Sequence, residues 1–210
     1  MTISPSPPTR TIDLGRPESW RDALTEAAAA LGRGEVALLP AEGLYGYHVR
    51  ADLPDALARL QAMKPRAGDR GWILLLAEPR LPASWGASLE GRTAELAASH
   101  WPGPLTLVVA APPGLPPALP TSDRTVAVRC PGSDFLRALL AAVDAPLVST
   151  SANRPGGAPP ASLGACELEG VGYAVDGGAL SGLPSTLVRV DGSTVRVLRS
   201  GALKVEGEAP

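Results

Sequence analysis

Apolar and polar positions along this chain follow two periods, and the switches between them divide it into helices and strands. Trp20, Ala23, Leu24, Ala27, Ala28 and Leu31 recur at the spacing of one buried helical face, with Arg21, Asp22 and Glu26 off it. Residues 19–31 are therefore predicted helical, ended by Gly32 and Gly34. Residues 36–39 read as a short buried strand. Pro54 opens a second helix running to about residue 63, with Ala56, Leu57, Leu60 and Met63 facing a core. Segments 73–77, 105–110, 125–129 and 146–150 read as strands; 93–99 and 134–143 read as helices, the second N-capped by Ser133. Five prolines in 112–120 predict an extended surface loop. Beyond residue 160 come a short helix near 162–167, a strand at 173–176, and two alternating runs, 185–190 and 194–199. Asp191-Gly192-Ser193 joins that pair as a hairpin. Strands alternating with helices, closed by a hairpin, imply one α/β domain with a mixed, twisted sheet.

Composition narrows the function classes. The chain has 210 residues, 45% of them hydrophobic, which supports one sizeable core. A formal net charge of −2 supplies no global field toward nucleic acid or an anionic membrane, so any RNA contact needs a local basic patch. Aromatic residues make up 4%, too few for a base-stacking platform. Cys130 and Cys166 lack metal-ligand spacing, and His48 and His100 cannot complete a zinc site unaided, so no metal site and a reduced, cytoplasmic setting are expected. Residues 1–15 read as a loose, flexible arm without the apolar run of a signal peptide, and 205–210 as a tail. No stretch is long and apolar enough for a membrane span.

Phosphate-loop, dinucleotide-fingerprint, nucleophile-elbow and zinc-protease motifs are missing. What remains is a scattered set of cations and hydroxyls at element ends. Val148-Ser149-Thr150-Ser151-Ala152-Asn153 packs hydroxyls and an amide at a strand's carboxyl end, where open α/β sheets hold their ligands. Lys64-Pro65-Arg66, with Arg70 beyond, follows the second helix; Arg129 and Arg199 each end an apolar strand. Arginine's planar fork suits carboxylate and phosphate. Converging cations without a nucleophile–base pair fit phosphoryl or nucleotidyl transfer, where positioning and charge neutralisation dominate. The stretch Pro40-Ala41-Glu42-Gly43-Leu44-Tyr45-Gly46 reads as a ligand loop after the first buried strand.

Taken in order, Pro-x-Glu-x-x-Tyr-Gly, Lys-x-Arg, Pro-Gly-Pro-Leu-Thr, Thr-Val-Ala-Val-Arg, Ser-Thr-Ser-Ala-Asn, Pro-Ser-Thr and a final Arg-x-Gly resemble the YrdC-like family, the threonylcarbamoyl-AMP synthases, over about residues 20–203. The resemblance implies a single open α/β domain over about residues 16–204 with a concave central cavity, a YrdC/RibB-like fold. It also implies condensation of L-threonine, bicarbonate and ATP to threonylcarbamoyl-AMP and pyrophosphate. A separate transferase complex then modifies adenosine 37 of tRNA, and Mg2+ accompanies the ATP. Carried over by position, Lys64, Arg66 and Arg70 hold the triphosphate, with Lys64 and Arg66 catalytic. Thr125, Ser151, Asn153 and Arg199 bind the nucleotide; Arg129, Ser149, Ser185 and the Ala41 position bind threonine. The family's first loop reads Pro-Thr-Glu-Thr, and here Ala41 and Gly43 replace the threonines. His48 and Arg50 replace a small and an acidic residue, so Tyr45, His48 and Arg50 are candidates for reading a different substrate. Two alternatives stand beside the synthase: a paralogue that binds nucleotide or double-stranded RNA without turnover, and one that takes another carbamoyl or amino-acid substrate.

Overall fold

The chain was described from a computed structural model covering residues 6–65, 71–154 and 157–207. Its strands are β1 (Thr9–Thr11), β2 (Val36–Pro40), β3 (Tyr45–Arg50), β4 (Ile73–Leu75), β5 (Leu105–Ala110), β6 (Thr125–Arg129), β7 (Leu147–Ser151), β8 (Val171–Asp176), β9 (Thr186–Asp191) and β10 (Thr194–Arg199). Its helices are α1 (Arg21–Gly32), α2 (Pro54–Met63), α3 (Gly91–His100) and α4 (Asp134–Val143). Among the described residues the strands form one mixed sheet in the order β1-β8-β2-β3-β7-β4-β6-β5-β9-β10. Parallel pairs (β1–β8, β8–β2, β4–β6, β5–β9) interleave with antiparallel ones, as the α/β reading requires. No helix among the described residues is long and apolar enough to cross a membrane.

Period-two alternation divides the two faces of the sheet. Leu38, Val49, Leu74, Leu107, Val128 and Val188 join one core with α2 and α3. On the opposite face Ala37, Leu39, Leu75, Leu147 and Tyr173 pack under α1 and α4. Helix α4 anchors this layer through Phe135, Leu136, Leu139, Leu140 and Val143, all buried, and burying such a side chain contributes about 1.5–3 kcal/mol. Ser133 Oγ accepts from the Leu136 amide at 3.3 Å, the N-cap expected there. Trp20 meets Phe135 edge-to-face, with ring centroids 5.8 Å apart, and fixes the start of α1 against α4. On this second face the strands β4, β6, β5 and β9 keep residues open to a cavity, which is where the site lies.

Four sequence expectations change. The ligand loop stops at Leu44: Tyr45–Arg50 is strand β3, paired with β2 and β7, its apolar side facing α2. The first fifteen residues are not all a loose arm, since Thr9–Thr11 adds an edge strand to β8 and Ile12 is buried under α1. The first helix starts at Arg21, after a single 3-10 turn over Pro17–Ser19. The proline-rich loop turns back on itself and buries Leu115 and Leu119 in the core.

Candidate functional site

The open half of the sheet floors a cavity of about 720 Å³. A smaller one of about 390 Å³ shares Ala41, Leu44, Arg129, Pro184 and Ser185 with it. Ile73, Ala127, Val108 and Leu187, one per adjacent strand, make the apolar floor. Polar groups converge on it from the strand ends and the loops that follow, because side chains at alternate positions of a strand share a face. The described lining residues carry four cations, Lys64, Arg129, Arg189 and Arg199, against two carboxylates, Glu42 and Asp123.

Lys64, just past α2, is buried and clamps the end of β7. Its Nζ donates to the Ser151 carbonyl at 2.9 Å, to Asn153 Oδ1 at 2.9 Å and to the Asn153 carbonyl. Ser151 Oγ donates to the same Asn153 Oδ1 at 2.5 Å, while the Asn153 amide donates to the Arg154 and Gly157 carbonyls at 2.9 and 2.6 Å. Lys64, Ser151 and Asn153 thus form one hydrogen-bonded unit, with an ammonium at its centre.

Arg129 ends β6 in the wall between the two cavities. It is 8% exposed; its Nε donates to the Gly103 carbonyl at 3.1 Å, and its fork pairs with Glu42, which also accepts from the Gly132 amide. Burial, then the like charge of Arg199, holds its pKa down to about 10, so it stays a cation at neutral pH. Arg199 donates to the Ser185 carbonyl from Nε (3.2 Å) and Nη2 (2.9 Å), and from Nη2 to Ser185 Oγ (3.1 Å). Ser185 Oγ lies 2.8 Å from Thr106 Oγ1, and burial lowers the Arg199 pKa as well. A buried guanidinium paired with a single carboxylate, and a second, more exposed guanidinium on the same cavity wall, favour an incoming anion.

Lys64, Thr125, Arg129, Ser149, Ser151, Asn153, Ser185, Arg199 and Ala41 all line the larger cavity. Arg66 and Arg70 lie outside the described residues. The substrate-loop trio divides: Tyr45 lines the larger cavity, while His48 and Arg50 do not. Tyr45 is fully buried along the wall, its hydroxyl donating to the Gly178 carbonyl at 2.8 Å and accepting from the Gly177 amide at 2.9 Å. Arg50 turns away, bonded to Asp52 at 2.7 Å and to the Val143 carbonyl at 3.2 Å. His48 is fully buried beside Ser149 on the neighbouring strand, its Nε2 3.1 Å from Ser149 Oγ, and is not among the residues lining the cavity. Neither His48 nor Arg50 can read a substrate directly.

Glu42 as the partner of Arg129 was not anticipated; the one signal was an acid within the expected ligand loop. Nor was a rim cluster in which Asp123 accepts from Thr121 Oγ1 (2.6 Å), Thr125 Oγ1 (2.8 Å) and Arg189 Nη1 (2.9 Å). Gly43 is set by a close approach: an added Cβ would lie 2.1 Å from the Leu183 carbonyl oxygen, which closes over this turn.

A concave, cationic cavity floored by apolar strand residues and rimmed with hydroxyls defines an α/β domain suited to a small, polar, anionic ligand. The chain belongs to the Sua5/YciO/YrdC family, whose model, described as "Telomere recombination", matches residues 29–201. It is 37% identical over 182 residues to a threonylcarbamoyl-AMP synthase of Chromohalobacter salexigens, covering 86% of this chain and 95% of that one. A synthase of Escherichia coli O9:H4 is 36% identical over 65% of this chain and 73% of its own length. Among solved structures, P. abyssi Sua5 complexed with L-threonine superimposes with a TM-score of 0.79 at 27% identity. That match covers 93% of this chain, which spans only 57% of the Sua5 chain. E. coli YciO, with a TM-score of 0.76 at 22% identity and 96% coverage of both chains, shares the fold.

Proposed function

We propose that this chain condenses L-threonine, bicarbonate and ATP into threonylcarbamoyl-AMP and releases pyrophosphate. One observation carries the reading: Lys64, Arg129 and Arg199 converge with the Ser149–Asn153 hydroxyls on one cavity, in a chain so similar to curated synthases. The threonine amine takes up CO2 as a carbamate, whose oxygen attacks the ATP α-phosphorus. The α–β phosphoanhydride breaks, a mixed anhydride forms, and pyrophosphate leaves. Lys64, with Arg66 and Arg70, neutralises the triphosphate and the charge that develops on the leaving group. Ser151, Asn153, Thr125 and Arg199 hold the nucleotide. Arg129 pairs with the amino-acid carboxylate, beside Ser149 and Ser185. Glu42 and the Gly103 carbonyl fix the Arg129 fork, so its remaining N–H groups keep a set direction.

Mg2+ accompanies the ATP, held largely through its phosphates. The product passes to a separate transferase that modifies adenosine 37 of tRNA, in the cytoplasm. A different amino-acid substrate is favoured by one feature, the hydroxyl-free Ala41 on the cavity wall. The deciding experiment is pyrophosphate release in complete mixtures and in mixtures lacking one reactant. Release that needs ATP, bicarbonate and L-threonine together is expected. Release with another amino acid alone transfers the reading to that substrate, and no release with any amino acid refutes it.

A further inference from the structure

The buried imidazole of His48 has no part in the proposed chemistry, yet its side-chain hydrogen-bonding partner is a cavity residue. His48 and Ser149 sit directly opposite each other on β3 and β7, with Nε2 3.1 Å from Oγ. Gly46, two residues earlier on the same strand, makes room for the ring: a Cβ there would lie 3.1 Å from His48 Cε1. Ser149 lines the cavity; His48 stands beside it on the same face of the sheet, fully buried, and its Nδ1 makes no hydrogen bond. Burial pushes the ring's pKa down to about 4, so it is neutral and carries a single proton. Backbone groups of Gly46 and Ala37 also face the ring, but none makes a hydrogen bond to Nδ1, whereas Nε2 faces Ser149 Oγ, which assigns that proton to Nε2.

We infer that His48 is a positioning residue for the amino-acid end of the site: its Nε2–H donates to Ser149 Oγ and thereby commits the Ser149 hydroxyl proton to the cavity. A hydroxyl has one proton and rotates freely unless a neighbour fixes it. With His48 donating from the neighbouring strand, Ser149 presents a donor to an acceptor oxygen, the carboxylate or carbamate oxygen of the amino-acid substrate. This rests on the synthase reading for the identity of that substrate. It also accounts for the histidine without placing it in the cavity: the residue acts through its cross-strand neighbour.

A double-mutant cycle tests this. The threonine KM, the ATP KM and kcat are measured for the wild type, His48→Phe, Ser149→Ala and the double variant. His48→Phe is expected to raise the threonine KM about three- to tenfold, the scale of one net hydrogen bond, with ATP KM and kcat within about twofold. In the Ser149→Ala background the same change should add nothing. An equal rise in both backgrounds, or no rise in either, overturns the inference. Ring-nitrogen NMR on the ligand-free protein decides it independently of turnover and of how His48→Phe folds, since the chain has only two histidines. Nε2–H is expected to be the His48 tautomer, with its signal displaced by Ser149→Ala. An Nδ1–H tautomer or an unmoved signal overturns the inference. A wild type without threonine-dependent pyrophosphate release refutes the synthase reading instead, and leaves the NMR comparison to decide this one.

Discussion

Replacing Gly43 by alanine asks whether the segment closing over the first loop is rigid. The added Cβ would lie 2.1 Å from the Leu183 carbonyl oxygen, 2.8 Å from Ser181 Oγ and 3.1 Å from the Leu183 carbonyl carbon. Ser181 Oγ can rotate away, but the Leu183 carbonyl must retreat from 2.1 Å to about 3.4 Å to reach an ordinary contact. That movement strains the hydrogen bond from the Gly182 amide to the Gly43 carbonyl, 2.8 Å long. Overpacking costs typically 1–3 kcal/mol and a lost hydrogen bond about 1, so Gly43→Ala should destabilise by about 2–4 kcal/mol. The same segment leads into Ser185, which holds Arg199, so the threonine KM should rise as well. Urea unfolding reads the first effect and pyrophosphate release the second. Ala41→Thr, two residues earlier, is the internal control: Ala41 faces the cavity, so stability should stay within about 0.5 kcal/mol. A Gly43→Ala protein as stable as the wild type would refute the argument that the 181–183 segment excludes a side chain there.

Other perturbations address the cations and the buried histidine. Lys64→Met removes the donor shared by the Ser151 and Asn153 oxygens; kcat for pyrophosphate release should fall about 10²–10³-fold, and an unchanged kcat would remove Lys64 from the phosphate site. Arg129→Lys loses the planar fork, and a rise of about tenfold in the threonine KM with a smaller fall in kcat is expected from steady-state titrations. His48 is depressed from 6.5 to about 4 in the fold, so below about pH 6.5 the unfolded chain takes up a proton that the folded chain refuses. Stability is therefore full above about pH 7 and falls toward acid. The wild type should lose about 2 kcal/mol between pH 7.5 and 5 that His48→Phe does not lose. Parallel urea-derived profiles for the two proteins would show that His48 is not buried neutral.

Most of the scaffold was legible from local pattern. The bounds of β5, β6, α4 and β10 match the periodicity because each is a strongly apolar run or stripe with a clear start or stop. The strand β3 escaped because Gly46 and His48 look like loop residues. Yet Tyr45, Tyr47 and Val49 alternate correctly, and the polar side is buried only because β2 and β7 flank it. The edge strand β1 had no local signal at all: its three residues are exposed, and it exists through backbone pairing to β8 far along the chain. In the site, the residue types at strand ends were readable, since arginine ending an apolar strand is hard to account for as surface charge. Their partners were not. The contacts of Glu42 with Arg129 and Gly132, of Lys64 with Asn153 and of His48 with Ser149 join residues some 90 to 100 apart. Only the folded sheet order brings such pairs together. That order also places the two residues departing from the family after Tyr-Gly off the cavity lining: Arg50 is bonded to Asp52 and His48 is buried beside Ser149.

The most direct test of the account is to identify the product itself. The protein would be incubated with ATP, L-threonine and isotope-labelled bicarbonate, and the nucleotides resolved by mass spectrometry. The account predicts a species uniting AMP, one threonine and one labelled carboxyl carbon, formed together with pyrophosphate and abolished by Lys64→Met. Pyrophosphate without that species, or ATP left intact in the complete mixture, would contradict it.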